Sequence, residues 1–266
     1  MTTVMPFFRT AITTYIISVL FISGCDTKNE AQKETANSIK PKAAISVNEK
    51  KANFFAYLHP MIEQVNKEVL SQREMLLSMQ KELPNLSQQK IEILNEYTHT
   101  YRVDKELPVE QKIEKLKRKI NTIPASLILA QAANESAWGT SRFAREGNNY
   151  FGQWCYSKGC GLVPLGRDDG AKHEVAKFNS PKDSIKSYIR NLNSHPTYKT
   201  LRELRTQSLS NGKKPSGELL AEGLLGYSIR REEYVKEIQS MIRYNKLSRF
   251  DSVTSDKNET SVSGKG

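Results

Sequence analysis

Glu135 lies in the run Ala130-Gln131-Ala132-Ala133-Asn134-Glu135-Ser136-Ala137-Trp138-Gly139, an acid among small and aromatic neighbours. An Ala- and Leu-rich helix is expected from Leu127 to Trp138, with Pro124 in its first turn and Gly139 stopping it. That helix places Ala132, Trp138 and Gly139 on the side of Glu135 and sets the carboxyl near the helix C-terminus. Desolvation and the negative end of the helix dipole both disfavour the ionised form and raise its pKa. A general acid that keeps its proton near neutral pH needs that shift. The competing reading is an ordinary ion pair with Arg142 or Arg145.

Other chemistries lack their motifs. The chain has no Gly-rich phosphate loop, no His-Glu-x-x-His pair and no Gly-x-Ser-x-Gly elbow. Its histidines, at 59, 99, 173 and 195, are scattered, so neither a cofactor nor a metal is expected. Cys155 and Cys160 are close enough to bridge in an oxidising compartment. A zinc pair completed by His173 competes with the bridge but lacks the doubled spacing of a structural site.

The elements that must hold Glu135 are mostly helical. Phe54, Leu58, Ile62, Val65, Val69 and Leu76 recur at three- and four-residue steps, an amphipathic helix ending before Pro84. A second stripe runs through Ile91, Leu94, Tyr97 and Tyr101, and a third, after Pro108, through Ile113, Leu116 and Ile120. A Gly-, Asn- and aromatic-rich stretch covers Gly147 to Gly170, and His173 to Phe178 alternates like a short strand. Ile185, Tyr188, Ile189 and Leu192 mark another helix. Leu219, Leu220 and Leu224, then Val235, Ile238 and Ile242, mark two more.

The N-terminus reads as an export leader over residues 1–24. Arg9 precedes an apolar run from Ala11 to Ile22, and Ser23 and Gly24 follow. At roughly a dozen residues the run is short of the about 20 that span a bilayer. Ile22-Ser23-Gly24-Cys25 resembles the bacterial lipobox, which implies diacylation of Cys25; a plain secretory leader is the alternative. Asp26 resembles a signal for retention in the inner membrane, which implies a lipid-anchored protein facing the periplasm. Residues 25–52 read as a disordered tether and 251–266 as a disordered tail. The net charge of +11 then suits an anionic wall or membrane surface rather than nucleic acid.

The runs "AQAANESAWG", "SRFAREGNNYFGQW", "CYSKGCGLVPL" and "GLLGYSIRREEYVKEI" resemble the bacterial peptidoglycan N-acetylglucosaminidases of the Bax type. The resemblance covers roughly Leu107 to Tyr244. It implies a mainly α, lysozyme-like α+β domain with a small β-lobe across a sugar-binding cleft. That catalytic domain is expected over 107–250, with a helical extension over 53–106 packed on it.

The implied activity is hydrolysis of the β-1,4 bond after N-acetylglucosamine in peptidoglycan strands, with Glu135 as the acid. A lytic transglycosylase and an inactive wall-binding scaffold are the alternatives, and no obligate protein partner is implied. The second carboxylate of such enzymes lies on the β-lobe, which here offers Glu174 first, then Asp168 or Asp169. A route through the substrate's own acetamide needs no second protein carboxylate.

By the same resemblance Tyr227 matches a phenol facing the cleft, although Ser228 to Glu233 departs from the family pattern. Asn148, Asn149 and Tyr150 match its sugar-binding loop. Phe151, in the same loop, reads as core. Trp154 and Tyr156 are candidates for the cleft wall.

Overall fold

The computed structural model describes residues 45–251. The expected leader, the lipidation site Cys25, Asp26, the first part of the tether and the tail from 252 onward lie outside the described residues. Residues 47–52, expected as tether, are instead the first turns of a helix.

That helix, α1 (Val47–Lys81), is 35 residues long and buries the predicted stripe from Phe54 to Leu76, together with Phe55 and Met79. Ser46 caps it by accepting from the Glu49 amide. The next two helices, α2 (Gln88–Thr100) and α3 (Val109–Lys119), bury Leu94, Ile113 and Leu116. Helix α4 (Ala125–Glu135) is buried around nearly its whole circumference, so it runs through the core, packed by α1 and by helices still to come.

Two side chains fix where α4 starts. Asn66 of α1 grips both polar groups of Ile123, donating to its carbonyl at 2.9 Å and accepting from its amide at 3.2 Å. At the start of α4, Asp251 takes the Ser126 amide at 2.8 Å and the Ser126 hydroxyl at 2.7 Å. A carboxylate there meets the positive end of the helix dipole. Buried Arg205 closes the end of α3, donating to the carbonyls of Arg118, Lys119, Asn121 and Thr122.

After α4 come α5 (Arg142–Gly147) and a small antiparallel sheet of β1 (Trp154–Cys155), β2 (Gly161–Leu162) and β3 (Glu174–Ala176), ordered β1-β3-β2. Trp154 pairs with Val175 and Cys155 with Glu174; Gly161 pairs with Ala176 and Leu162 with Val175. Gly161 is required there, because a Cβ would fall 2.0 Å from the Val175 carbonyl oxygen. The chain then returns to helices α6 (Pro181–Ser194), α7 (Lys199–Ser210), α8 (Gly217–Ala221) and α9 (Glu232–Tyr244). Helix α4 packs on α1, α8 and α9, with the sheet at the edge of this helical body as the expected small β-lobe.

Candidate active site

Glu135 is the last residue of α4, which ends earlier than its sequence suggests. Ser136 caps the helix, its hydroxyl donating to the Ala132 carbonyl at 2.5 Å and accepting from the Gly139 amide at 2.8 Å. Ala137, Trp138 and Gly139 then take φ of 49°, 59° and 77°. This left-handed turn swings Trp138 off the helical face where it was expected beside Glu135. The indole instead packs edge-on against Phe54 and Phe55 of α1, ring centroids 5.7 and 5.4 Å away.

The Glu135 carboxyl is half-buried and meets phenol and amide groups rather than a cation. Its Oε1 accepts from the Tyr234 hydroxyl at 2.7 Å and from Asn134 Nδ2 at 3.4 Å. The Tyr234 oxygen accepts from Gln131 Nε2 at 2.8 Å, and Gln131 Oε1 accepts from the buried Tyr188 hydroxyl. Burial pushes the Glu135 pKa up; the bonds from Tyr234 and Asn134 oppose it, the charge of Glu237 adds to it and Arg230 opposes it. No ion pair to Glu135 is present among the described residues. Arg142 donates to the Val163 carbonyl at 2.7 Å and Arg145 is exposed, so neither neutralises the acid.

The second oxygen faces elsewhere. A Cβ at Gly152 would stand 3.8 Å from Glu135 Oε2, so the segment leading into the β-lobe passes directly over this atom. Gly152 is exposed and its φ is 61°. One oxygen is therefore held from the helical side, while the other looks toward the lobe.

Glu174 is not free to act with Glu135. Its Oε1 accepts from the Gly159 amide at 2.9 Å and its Oε2 from the Gly161 amide at 2.8 Å. These bonds hold its carboxyl below the usual range, the condition of a fixed anion rather than an exchangeable acid. Cys155 and Cys160 are bridged across the same loop, which takes up both sulfurs and leaves the zinc reading without thiolates. Glu174 and the bridge together clamp the lobe. Asp168 and Asp169 sit in an exposed turn beyond it.

The loop asparagines are also employed internally. Buried Asn149 donates to the Gln153 and Ala176 carbonyls and accepts from the Phe151 and Gln153 amides, so its amide ties the loop to β3. Asn148, left-handed at the end of α5, donates to the Phe178 carbonyl at 3.0 Å. Both N–H groups of Asn149 are thus taken up inside the loop, whereas Asn148 commits one of its two. Tyr150 turns toward α1, and Phe151 stacks on Tyr188 at 4.0 Å in the core.

Trp154 and Tyr156 are open, at 57% and 72% exposure, with Trp154 stacked on His173 at 4.2 Å. Both remain available as apolar platforms. Tyr227 stacks on Tyr234 at 5.4 Å and donates to the Phe151 carbonyl at 2.8 Å. Burial first, then the charges of Tyr234 and Glu135, raises its pKa. It braces the acid's hydrogen-bonding partner rather than touching the acid.

Sequence reasoning missed Tyr234, Gln131, and the Arg230–Glu237 pair, whose Nη2 and Oε2 are 2.5 Å apart. Gln131 was within reach, being one helical turn before Glu135. A cavity of about 590 Å³, lined by Asn66, Ile123, Arg205 and Asp251 among others, contains none of these groups. The carboxyl, not cavity size, locates the candidate site.

A half-buried acid at the end of a core helix, facing a small antiparallel lobe, is consistent with a mainly α, lysozyme-like domain. The chain belongs to the glucosaminidase family, described as mannosyl-glycoprotein endo-beta-N-acetylglucosaminidase, whose match covers residues 110–247. It is 33% identical over 130 residues to Protein bax of Escherichia coli (strain K12), a stretch covering 49% of this chain and 46% of that protein. The chain thus spans less than half the length of this relative. No solved structure matches it.

Proposed function

We propose that the protein hydrolyses the β-1,4 bond after N-acetylglucosamine in peptidoglycan strands, with Glu135 protonating the leaving oxygen. The observation that carries this reading is the state of that carboxyl: half-buried with no ion-pair partner among the described residues, its pKa raised, Oε1 held by Tyr234 and Oε2 turned toward Gly152. The proton to be delivered then sits on Oε2. Tyr156 and the face of Trp154 not stacked on His173, exposed on the lobe that begins just beyond Gly152, offer ring surfaces to pyranose units.

Both oxygens of Glu174, the first lobe carboxylate the sequence offers, accept from loop amides. This favours the route in which the substrate's own acetamide attacks the anomeric carbon as Glu135 protonates the departing oxygen. Water then opens the resulting ring, returning its proton to the Glu135 carboxylate. The reading also takes Cys25 as the acylated anchor of a periplasm-facing enzyme, which incorporation of a palmitate analogue and its loss in Cys25→Ala would test.

Release of dye from covalently labelled sacculi tests the activity itself. Wild type should release it, and Glu135→Gln should fold but release none. Equal release by both removes Glu135 from the chemistry.

A further inference from the structure

The turn that carries Trp138 away from Glu135 brings it to a second concavity, built jointly by α1 and the family domain. A groove of about 540 Å³ lies between the first turns of α1, which contribute Lys50, Lys51, Phe54 and Tyr57, and the segment 137–140 with Tyr150. About half of its wall therefore comes from outside the family match. We propose that this groove is a second glycan-binding site, which holds a stretch of peptidoglycan strand while Glu135 cleaves elsewhere on the polymer.

Three features point to that ligand. Exposed Tyr57 and half-buried Trp138 offer aromatic surfaces of the kind that pack on the apolar faces of pyranose rings. Tyr57 and Tyr150 line the same groove from the two segments, and burial, together with the neighbouring Tyr57, pushes the Tyr150 phenol up to about 12. The lining contains two lysines and no carboxylate.

The two lysines sit differently. Lys51 Nζ lies over the Trp138 ring at 4.9 Å from its centroid and over the ring of Tyr244, on α9, at 5.0 Å. Lys50 is exposed. Cations above apolar walls suit a strand whose stem peptides carry carboxylates. The chain's net charge of +11, which the acid site does not use, has the matching sign.

The proposal rests on peptidoglycan being the substrate, and its test separates the two ideas. Kinetics on intact sacculi and on a short soluble glycan would be compared for wild type, Tyr57→Ala, Tyr57→Phe and Lys50→Ala, none of which touches Glu135. The groove predicts a KM on sacculi raised roughly fivefold to tenfold by Tyr57→Ala, with kcat and the short-substrate reaction unchanged. Tyr57→Phe should retain most of the wild-type KM. Lys50→Ala should raise KM only for strands that keep their stem peptides.

An unchanged KM on sacculi in Tyr57→Ala and Lys50→Ala overturns the proposal. So does an equal rise on both substrates, which marks a structural effect, or a loss confined to binding of anionic lipid vesicles. If wild type cleaves nothing, strand binding by the Glu135→Gln protein still decides the groove. Weaker binding after adding Tyr57→Ala supports it, and unaltered binding overturns it.

Discussion

Replacing Tyr234 by Phe deletes one hydroxyl and leaves the ring that stacks on Tyr227. The lost bond, 2.7 Å to Glu135 Oε1, holds the carboxylate more strongly than the neutral carboxyl. A hydrogen bond to a charged group is worth about 1.5–3 kcal/mol and one to a neutral group about 0.5–1.5 kcal/mol. The difference, about 1–1.5 kcal/mol, corresponds to about one pH unit. Because this bond lowers the Glu135 pKa, its removal raises it. The basic limb of the kcat/KM profile on a soluble glycan should therefore move up by about one pH unit.

Gln131 Nε2 loses its acceptor in the same variant, so stability should fall by about 1–3 kcal/mol. Thermal unfolding and circular dichroism check that the fold survives. Tyr227→Phe is the control: its hydroxyl serves the Phe151 carbonyl, and the limb should stay in place. A folded Tyr234→Phe enzyme whose basic limb coincides with wild type would refute this account of how the proton is set.

Other substitutions test the frame around the acid. The Glu135 pKa is raised in the folded state, so its stabilising contribution is full below the ordinary value of 4.5 and is lost as pH rises through the folded value. Glu135→Gln should consequently match wild type in Tm at low pH, exceed it increasingly from pH 4.5 up to the folded pKa and keep a level advantage above that; a difference that is the same from low pH upward would contradict the shift. Ile62→Ala, at a fully buried position of α1, should cost about 2–5 kcal/mol in denaturant unfolding, since α1 is part of the core. Cys155→Ser with Cys160→Ser should loosen the lobe by about 2 kcal/mol, the entropy of a short closed loop. Hydrogen exchange should quicken over residues 154–176 and not in α4. Gly161→Ala should disrupt the sheet, because its methyl meets the Val175 carbonyl oxygen at 2.0 Å.

The helices were legible because their apolar stripes are long and periodic: Phe54 to Leu76, Ile113 to Ile120 and Val235 to Ile242 all bury the residues expected. The end of α4 was not. Ala137 and Trp138 are ordinary helix-compatible residues, and nothing local announces that both take positive φ. What holds them there is Trp138 packing on Phe54 and Phe55, which come from a helix far earlier in the chain.

Site residues divide in the same way. Glu135 stands out through its own neighbours in sequence. Tyr234 acquires its role only when α9 packs beside α4, a contact 99 residues apart. Glu174 misleads because a carboxylate at a strand start reads alike whether it faces a cleft or, as here, a pair of loop amides. Asn149 misleads for a related reason: an amide suited to sugars is equally suited to the backbone groups of its own loop.

In the proposed reaction Glu135 gives its proton to a glycosidic oxygen next to N-acetylglucosamine, and water completes the cleavage. Mass spectrometry of the soluble muropeptides released from purified sacculi reads this directly. Fragments ending in reducing N-acetylglucosamine, produced by wild type and missing with Glu135→Gln, are the expected result. Anhydro-muramic ends, or fragments that appear equally with both proteins, would contradict it.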